Sequence, residues 1–201
     1  MFKNFTMTFT QKCNEYVKKK YGGAKIIVEY GSGGSTLLAA KLGKKIITVE
    51  SSNVWLIELL GSAAHQNLSG NIIPLWVDIG TTGNWGVPET ETKWKNWQNY
   101  PLAPWKYCQE SNITPDLVLI DGRFRIACFL ATCASIQKET IVLFDDYEER
   151  SHYHVIEKIC NEKVSKKIDV IDSRMAVFKV QPNMLSSFDL IANINYFNDF
   201  K

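Results

Sequence analysis

The chain has 201 residues and a mass of 22.9 kDa, and 45% of its residues are hydrophobic while 22% are charged. This length suits one domain with a full-sized core, and the composition excludes a disordered chain. The 23 basic and 21 acidic residues leave a formal charge of +2, which excludes a strongly basic nucleic-acid-binding protein. We therefore predict a single domain over residues 1–201 with no nucleic-acid partner.

Five cysteines are present, and no two of them form a Cys-x-x-Cys pair. Neither a disulfide framework nor a common zinc or redox motif is therefore expected. Reduced, mostly buried thiols in a cytoplasmic protein are the better interpretation. The first residues lack the apolar run of a signal peptide, and no stretch approaches the roughly 18 apolar residues of a membrane span. We predict no membrane association.

Short apolar runs alternate with helical patterns along most of the chain. The predicted helices cover about residues 9–20, 35–42, 53–68, 124–136 and 151–162. The predicted strands cover residues 26–30, 46–50, 72–77, 116–121 and 140–144. These strands are β-branched and almost continuously apolar, which is typical of a parallel sheet covered on both faces. The alternation predicts a doubly wound α/β fold.

The end of the chain departs from this alternation. Residues 167–171 and 175–180 are two strand-like runs with only three residues between them, which is the spacing of a hairpin. The last strand should therefore be antiparallel to its neighbour. We predict a mostly parallel, seven-stranded sheet with a C-terminal antiparallel hairpin and helices on both faces.

Two segments fall outside this scheme. Residues 79–115 show no clean period and contain four of the six tryptophans, Trp85, Trp94, Trp97 and Trp105. A segment of this length is usually functional or disordered, and its aromatic content argues against disorder. We predict an aromatic-rich insertion that forms a lid over a ligand, with a satellite core or a subunit interface as the alternative. The tail, residues 183–201, should dock on the body or on a second copy, which would make a homodimer.

The most informative stretch is the glycine-rich turn after the first predicted strand. Gly31 and Gly33 allow a tight turn, and the helix that follows offers free N–H groups to a polar ligand. Glu50 ends the next strand nineteen residues after Gly31, where an acid can accept bonds from both ribose hydroxyls of a nucleoside. Thr36 occupies the third glycine position of the dinucleotide fingerprint, and Glu29 would repel a pyrophosphate. This pattern disfavours NAD.

The pattern Glu29-x-Gly31-x-Gly33, with the acid after strand two and the final hairpin, resembles the class I S-adenosylmethionine-dependent methyltransferases over roughly residues 24–180. The resemblance implies a seven-stranded, Rossmann-like sheet and S-adenosylmethionine as cofactor. It implies that the cofactor contacts Glu29, Gly31, Ser32, Gly33, Glu50, Ser51 and Asp78. Among these, the first four would hold the methionine end, Glu50 the ribose, and Ser51 and Asp78 the adenine. Asp78 has an equal alternative as a helix or turn cap.

Acidic residues also end the fourth and fifth predicted strands. Asp121, Asp145 and Asp146 should lie on the same rim as the glycine loop, because ligands of open α/β sheets bind at the carboxyl ends of the strands. Asp121 could orient a methyl acceptor or act as base, and Asp145 would assist it. The trio also resembles the magnesium site of catechol-type O-methyltransferases, which implies Mg²⁺ as a second cofactor. Here Asp146 stands where that family has asparagine, and the alternative role of Asp145 and Asp146 is helix capping.

Arg123 and Arg125 follow Asp121 directly. Arginine suits the capture of a carboxylate or phosphate, so Arg123 is a candidate for the catalytic site and the acceptor could be anionic. The aromatic segment equally suits an aromatic acceptor. The alternative for both arginines is a salt bridge to Asp121 or Asp145.

These patterns predict a methyltransferase that acts on a small molecule, most simply at oxygen. No Asn/Asp-Pro-Pro-Tyr/Phe motif follows the fourth strand, which argues against methylation of amino groups. Two alternatives stay open. One is a catalytically silent protein of this fold that binds S-adenosylmethionine or a nucleotide, and the other is an NAD-dependent oxidoreductase.

Overall fold

A computed structural model describes residues 3–200 as seven strands with helices on both sides. The strands are β1 Ile26–Tyr30, β2 Lys45–Glu50, β3 Ile72–Trp76, β4 Leu117–Ile120, β5 Thr140–Phe144, β6 Ser165–Ile171 and β7 Met175–Val180. The α-helices are α1 Gln11–Gly23, α2 Gly34–Lys41, α3 Asn53–His65, α4 Asn99–Glu110, α5 Arg125–Ser135, α6 Val155–Ile159 and α7 Ser187–Ala192.

The strands form one sheet in the order β3-β2-β1-β4-β5-β7-β6. Strands β1 to β5 pair in parallel, whereas β7 is antiparallel to both β5 and β6. The predicted doubly wound sheet and its antiparallel hairpin are confirmed. The strand order reverses between β1 and β4, and a crevice opens at the carboxyl ends of the strands at such a switch point.

Two apolar layers cover the sheet. Helices α1, α2 and α3 pack on one face around Val17, Leu37 and Leu59, all buried. Helices α4, α5 and α6 pack on the other face, where Phe129 contacts Phe178 with ring centroids 5.0 Å apart. All five cysteines are free and buried, as predicted. No helix within residues 3–200 has the length and apolar character needed to cross a membrane.

The segment 79–115 contains a helix that the sequence pattern hides. Helix α4 lies between β3 and β4 and buries Tyr100, Trp105 and Cys108 against the sheet. Tyr30 Oη donates to the Pro101 carbonyl at 2.6 Å, which fixes the helix on β1. Two prolines in the helix interrupt the apolar period that would have predicted it. Residues 79–98, which include two short 3₁₀ turns, and residues 111–115 are the irregular parts of the segment.

The tail packs on the body of the same chain. Phe197 is 3% exposed, and the ring of Phe200 meets that of Trp97 edge-on at a centroid distance of 5.5 Å. Phe188 and Ile191 on α7 stay exposed. Docking on the body, one of the two predicted outcomes, accounts for the aromatic residues at the end of the tail.

Candidate active site

The glycine loop and the turn after β4 touch through their backbones. Gly31 has φ +89°, and a Cβ on it would lie 2.7 Å from the carbonyl oxygen of Asp121. A Cβ on Gly122 would lie 2.8 Å from the nitrogen of Gly31. Only glycine fits at both positions, since any side chain would push the two strand ends apart. The predicted cofactor loop and the predicted acceptor rim are therefore one continuous surface at the switch point.

Glu50 points back to the glycine loop. The backbone N–H of Ser32 donates to Glu50 Oε2 at 3.1 Å, and the Ser32 hydroxyl donates to the same oxygen at 3.0 Å. The N–H groups of Ser51 and Ser52 donate to Oε1 at 2.8 and 2.9 Å. Every one of these donors is neutral, so no cation pairs with Glu50 beside the loop. The ribose role of Glu50 stays a prediction from the spacing.

Glu29 lies behind the loop rather than in it. Its carboxylate is 0% exposed and accepts hydrogen bonds from the hydroxyls of Ser35, Thr36, Thr48 and Tyr21. Burial raises the pKa of Glu29 to about 7. The side chain therefore anchors the first turn of α2 from below, and its contact with the methionine end of the cofactor stays a prediction. Strand alternation turns Glu29 to the face opposite to that of Tyr30.

Residues 79–98 approach the predicted adenosine end of the site. Asp78 pairs with Lys93, which lowers the pKa of Asp78, and it also accepts from the N–H of Gly80 at 3.1 Å. The Ser51 hydroxyl donates to the Gly86 carbonyl at 3.3 Å. Asp78 thus closes a turn, the alternative role given above, although its side chain remains one-third exposed beside the site.

Asp121, Asp145 and Asp146 come together at the ends of β4 and β5, as the sequence predicts. One carboxylate oxygen from each lies within 4.8 Å of the others. Asp145 is 0% exposed, whereas the Asp121 and Asp146 side chains are 25% and 13% exposed. Burial is the main cause that raises the pKa of Asp121 to about 8, and the neighbouring carboxylates add to the rise while Arg125 opposes it.

Arginines bind all three of these carboxylates. Arg174 forms a two-pronged contact with Asp145, Nε to Oδ1 at 2.9 Å and Nη2 to Oδ2 at 2.6 Å. The buried Arg125 bridges Asp121 at 3.0 Å and Asp146 at 3.3 Å. Guanidinium groups hold the positive charge that a metal would supply, and both oxygens of Asp145 are engaged. The arrangement does not fit a Mg²⁺ site, which needs carboxylate oxygens free to face the ion. The magnesium prediction is therefore not supported.

The sequence singled out Arg123 and Arg125 but missed Arg174. It lies in the turn between β6 and β7, 29 residues from Asp145 in the chain, and its guanidinium lies over the Phe9 ring at 5.9 Å. Nothing in a single sequence pairs an arginine of a hairpin turn with an aspartate on another strand. The predicted salt bridges hold for Arg125, whereas Arg123 forms none among residues 3–200.

A methyltransferase-like protein from Silicibacter pomeroyi DSS-3 has a solved structure that superposes with a TM-score of 0.87. It is 35% identical to this chain, and the match covers 98% of both chains. No protein-family model matches the sequence, and no curated protein shows significant similarity to it.

More distant structures share the fold. An O-methyltransferase from Bacillus cereus, solved with SAH (S-adenosylhomocysteine), is 13% identical, covers 86% of this chain and 82% of its own, and gives a TM-score of 0.62. An O-methyltransferase of tomaymycin synthesis from Streptomyces achromogenes, solved with SAM, is 9% identical, covers 88% and 82%, and gives a TM-score of 0.63. With a 35%-identical relative over nearly its whole length, the chain belongs to the class I S-adenosylmethionine-dependent methyltransferase family.

Proposed function

We propose that the protein transfers a methyl group from S-adenosylmethionine to an oxygen atom of a small molecule that is anionic or aromatic. The observation that supports this most directly is Glu50, whose carboxylate lies within 3.1 Å of the glycine loop at the switch point of the sheet. An acid at that position suits the ribose of a nucleoside cofactor. The distant relatives solved with SAM or SAH are O-methyltransferases, which favours oxygen as the acceptor atom.

Different residues would bind the cofactor and the methyl acceptor. The loop residues Gly31 to Gly33 and the first N–H groups of α2 would hold the methionine end, and Glu50 the ribose. S-adenosylmethionine supplies an electrophilic methyl group when bound. Asp121 would take the proton of the acceptor hydroxyl, since its raised pKa of about 8 suits a base near neutral pH. Arg125 holds that carboxylate in place through a 3.0 Å contact.

Residues 79–98 are the part of the predicted insertion that can act as a lid. Trp85 is 80% exposed, while the next residue, Gly86, has no room for a Cβ because Ser51 Oγ would lie 2.6 Å from it. The segment therefore borders the adenosine end, and Trp85 is free to fold onto a bound nucleoside. Replacing residues 82–88 with a Gly/Ser linker should weaken SAH binding without changing the sedimentation coefficient. A subunit interface would instead change sedimentation and leave SAH binding intact.

The five free, buried thiols suit a reducing compartment, and we propose that the protein is cytoplasmic.

The central experiment is a calorimetric titration of the protein with SAH and, separately, with NAD. Binding of SAH with a Kd in the micromolar range is expected. Binding of NAD alone would contradict the proposal.

Transfer itself is tested with methyl-labelled S-adenosylmethionine and a panel of phenols and hydroxy acids. Asp121→Asn should retain SAH binding and lose about 10²–10⁴-fold in turnover, because a positioned base typically contributes that much. If the wild-type protein binds SAH and transfers no label to any hydroxyl, the silent binding protein becomes the better description.

A further inference from the structure

The chain has only four arginines against nineteen lysines, and all four lie at one rim. They are Arg123 and Arg125 after β4, Arg150 after β5 and Arg174 in the hairpin turn. Lysines supply the remaining positive charge elsewhere on the molecule. Arginine differs from lysine in its planar fork, which matches a carboxylate or a phosphate with two parallel hydrogen bonds.

Three of these arginines form ion pairs with the aspartates. Arg125 contacts Asp121 and Asp146, Arg174 contacts Asp145 and Asp146, and Arg150 contacts Asp146 at 2.8 Å. These three guanidinium groups together contact all three carboxylates.

Arg123 is the arginine that is left over. None of the ion pairs found within residues 3–200 includes it, and its Nε is buried with no hydrogen-bond partner there. Partial burial and the nearby Arg125 lower the pKa of Arg123, which shows that its charge is poorly compensated. A buried guanidinium nitrogen without an acceptor is costly unless a ligand supplies one.

The backbone of Arg123 is held firmly beside the site. Its N–H donates to Tyr100 Oη at 3.4 Å, and its carbonyl accepts from Cys128 Sγ at 3.3 Å. The preceding Gly122 touches Gly31 of the cofactor loop. Arg123 therefore lies at the boundary between the loop and the Asp121 rim. In the proposed function the N–H groups at the start of α2 hold the cofactor's own carboxylate, which leaves the second substrate to supply an anion for Arg123.

We propose that Arg123 anchors a carboxylate or phosphate group of the methyl acceptor, so that the natural acceptors are small hydroxylated organic anions. This inference rests on the proposed function and specifies the substrate class of that same site. The anion would pair with the Arg123 fork, while the hydroxyl of the same molecule faces Asp121.

The test uses the full chain saturated with SAH and two matched pairs of probes. The first pair is 4-hydroxybenzoate and 4-hydroxybenzamide, and the second is 4-hydroxyphenyl phosphate and 4-hydroxyphenyl methyl sulfone. With only four arginines, each Nε–H group can be followed separately by NMR. We expect at least one anion to shift the Arg123 signal and to bind about 10- to 100-fold more tightly than its neutral partner, as for a lost charge-assisted contact. The pair that responds distinguishes a carboxylate from a phosphate.

Arg123→Gln should remove this preference, and Arg123→Lys should restore only part of it. The control is Arg150→Gln, which removes the same charge from the same rim and should change anion affinity less than about twofold, since Arg150 is 42% exposed. An anion affinity that is unchanged in Arg123→Gln, or no anion binding by the wild type, would overturn the inference. An equal loss of SAH affinity in Arg123→Gln would also overturn it, by assigning Arg123 to the cofactor carboxylate. Absence of SAH binding in the wild type would instead refute the proposed function.

Discussion

Two groups of acids lie at the carboxyl ends of the strands, and they differ in what neutralises them. On the β1–β2 side, Glu29 and Glu50 accept bonds only from hydroxyls and backbone N–H groups, and no ion pair within residues 3–200 involves either residue. On the β4–β5 side, Asp121, Asp145 and Asp146 are bound by guanidinium groups. Cations therefore neutralise the second group and not the first.

The difference shows how acidic residues can suit two kinds of ligand, depending on their hydrogen-bond donors. Only neutral groups donate to Glu50, so no neighbouring cation offsets its carboxylate, which suits a cofactor with a sulfonium and an ammonium group. Guanidinium donors cancel that charge and add their own, which suits an anionic acceptor. In one crevice, an acid with neutral donors can therefore suit a cationic substrate, while acids paired with arginines can lie beside an anionic one.

The largest effect is expected from breaking the arginine side. Arg174→Met leaves the Asp145 carboxyl, which is 0% exposed, without its two-pronged partner. Removing one member of a buried pair typically costs about 3–5 kcal/mol of unfolding free energy. Urea unfolding would measure it. The control is Lys179→Met on β7, the strand that follows the turn, whose exposed pair with Glu139 should cost about 0–1 kcal/mol. Equal losses in the two variants would mean that Arg174 does not stabilise the rim.

The neutral-donor side can be tested by pH. Burial raises the pKa of Glu29 from 4.5 to about 7, so the folded protein keeps a proton that the unfolded chain has released over this interval. The free energy of unfolding should therefore fall as the pH rises from about 4.5 to about 7, by up to about 3 kcal/mol from Glu29. Glu29→Gln removes this contribution and should flatten the curve between pH 5 and 7. Parallel curves for the two proteins would show that Glu29 does not titrate in that interval.

A smaller effect is expected on the cofactor itself. Glu50→Ala removes the ribose acceptor and should weaken SAH binding by about 1–3 kcal/mol, because charge-assisted hydrogen bonds are lost. Glu58→Ala on α3 changes an exposed acid that pairs with Lys3 and provides the control. Isothermal titration calorimetry would measure both. Unchanged SAH affinity in Glu50→Ala would remove Glu50 from the cofactor site.

Much of the fold could be predicted because the information is local. Residues 26–30, 140–144 and 175–180 are strands over the ranges that their apolar runs indicate. Helix α4 was missed because its prolines and tryptophans hide the helical period, while burial against β1 and β2 stabilises it regardless. Tertiary contacts override local propensity in such segments.

The candidate site was predictable in position and less so in role. Parallel strands bring their carboxyl ends to one rim, which placed Glu50, Asp121 and Asp145 correctly from the strand boundaries alone. The side chain of Glu29 points to the other face, and the two-residue period of β1 could have indicated this. The partners of the aspartates could not be predicted, because Arg174 reaches Asp145 only through the antiparallel hairpin.

The smallest expected effect is that of Mg²⁺ on the three aspartates at the ends of β4 and β5. If the aspartates bound Mg²⁺, the ion would stabilise the folded protein by mass action, by about 2.7 kcal/mol at a concentration of 100 times its Kd. Arg174 engages both oxygens of Asp145, and Arg125 bridges the other two carboxylates, so an ion would first have to displace two charged side chains. We therefore expect no shift of the melting temperature in millimolar Mg²⁺ and no loss of methyl transfer after chelation. Arg174→Met serves as the comparison, because it frees Asp145 and should make the rim responsive to Mg²⁺. The opposite result would be that Mg²⁺ stabilises the wild type and not Asp145→Asn. It would show that Mg²⁺ displaces the arginines from the carboxylates.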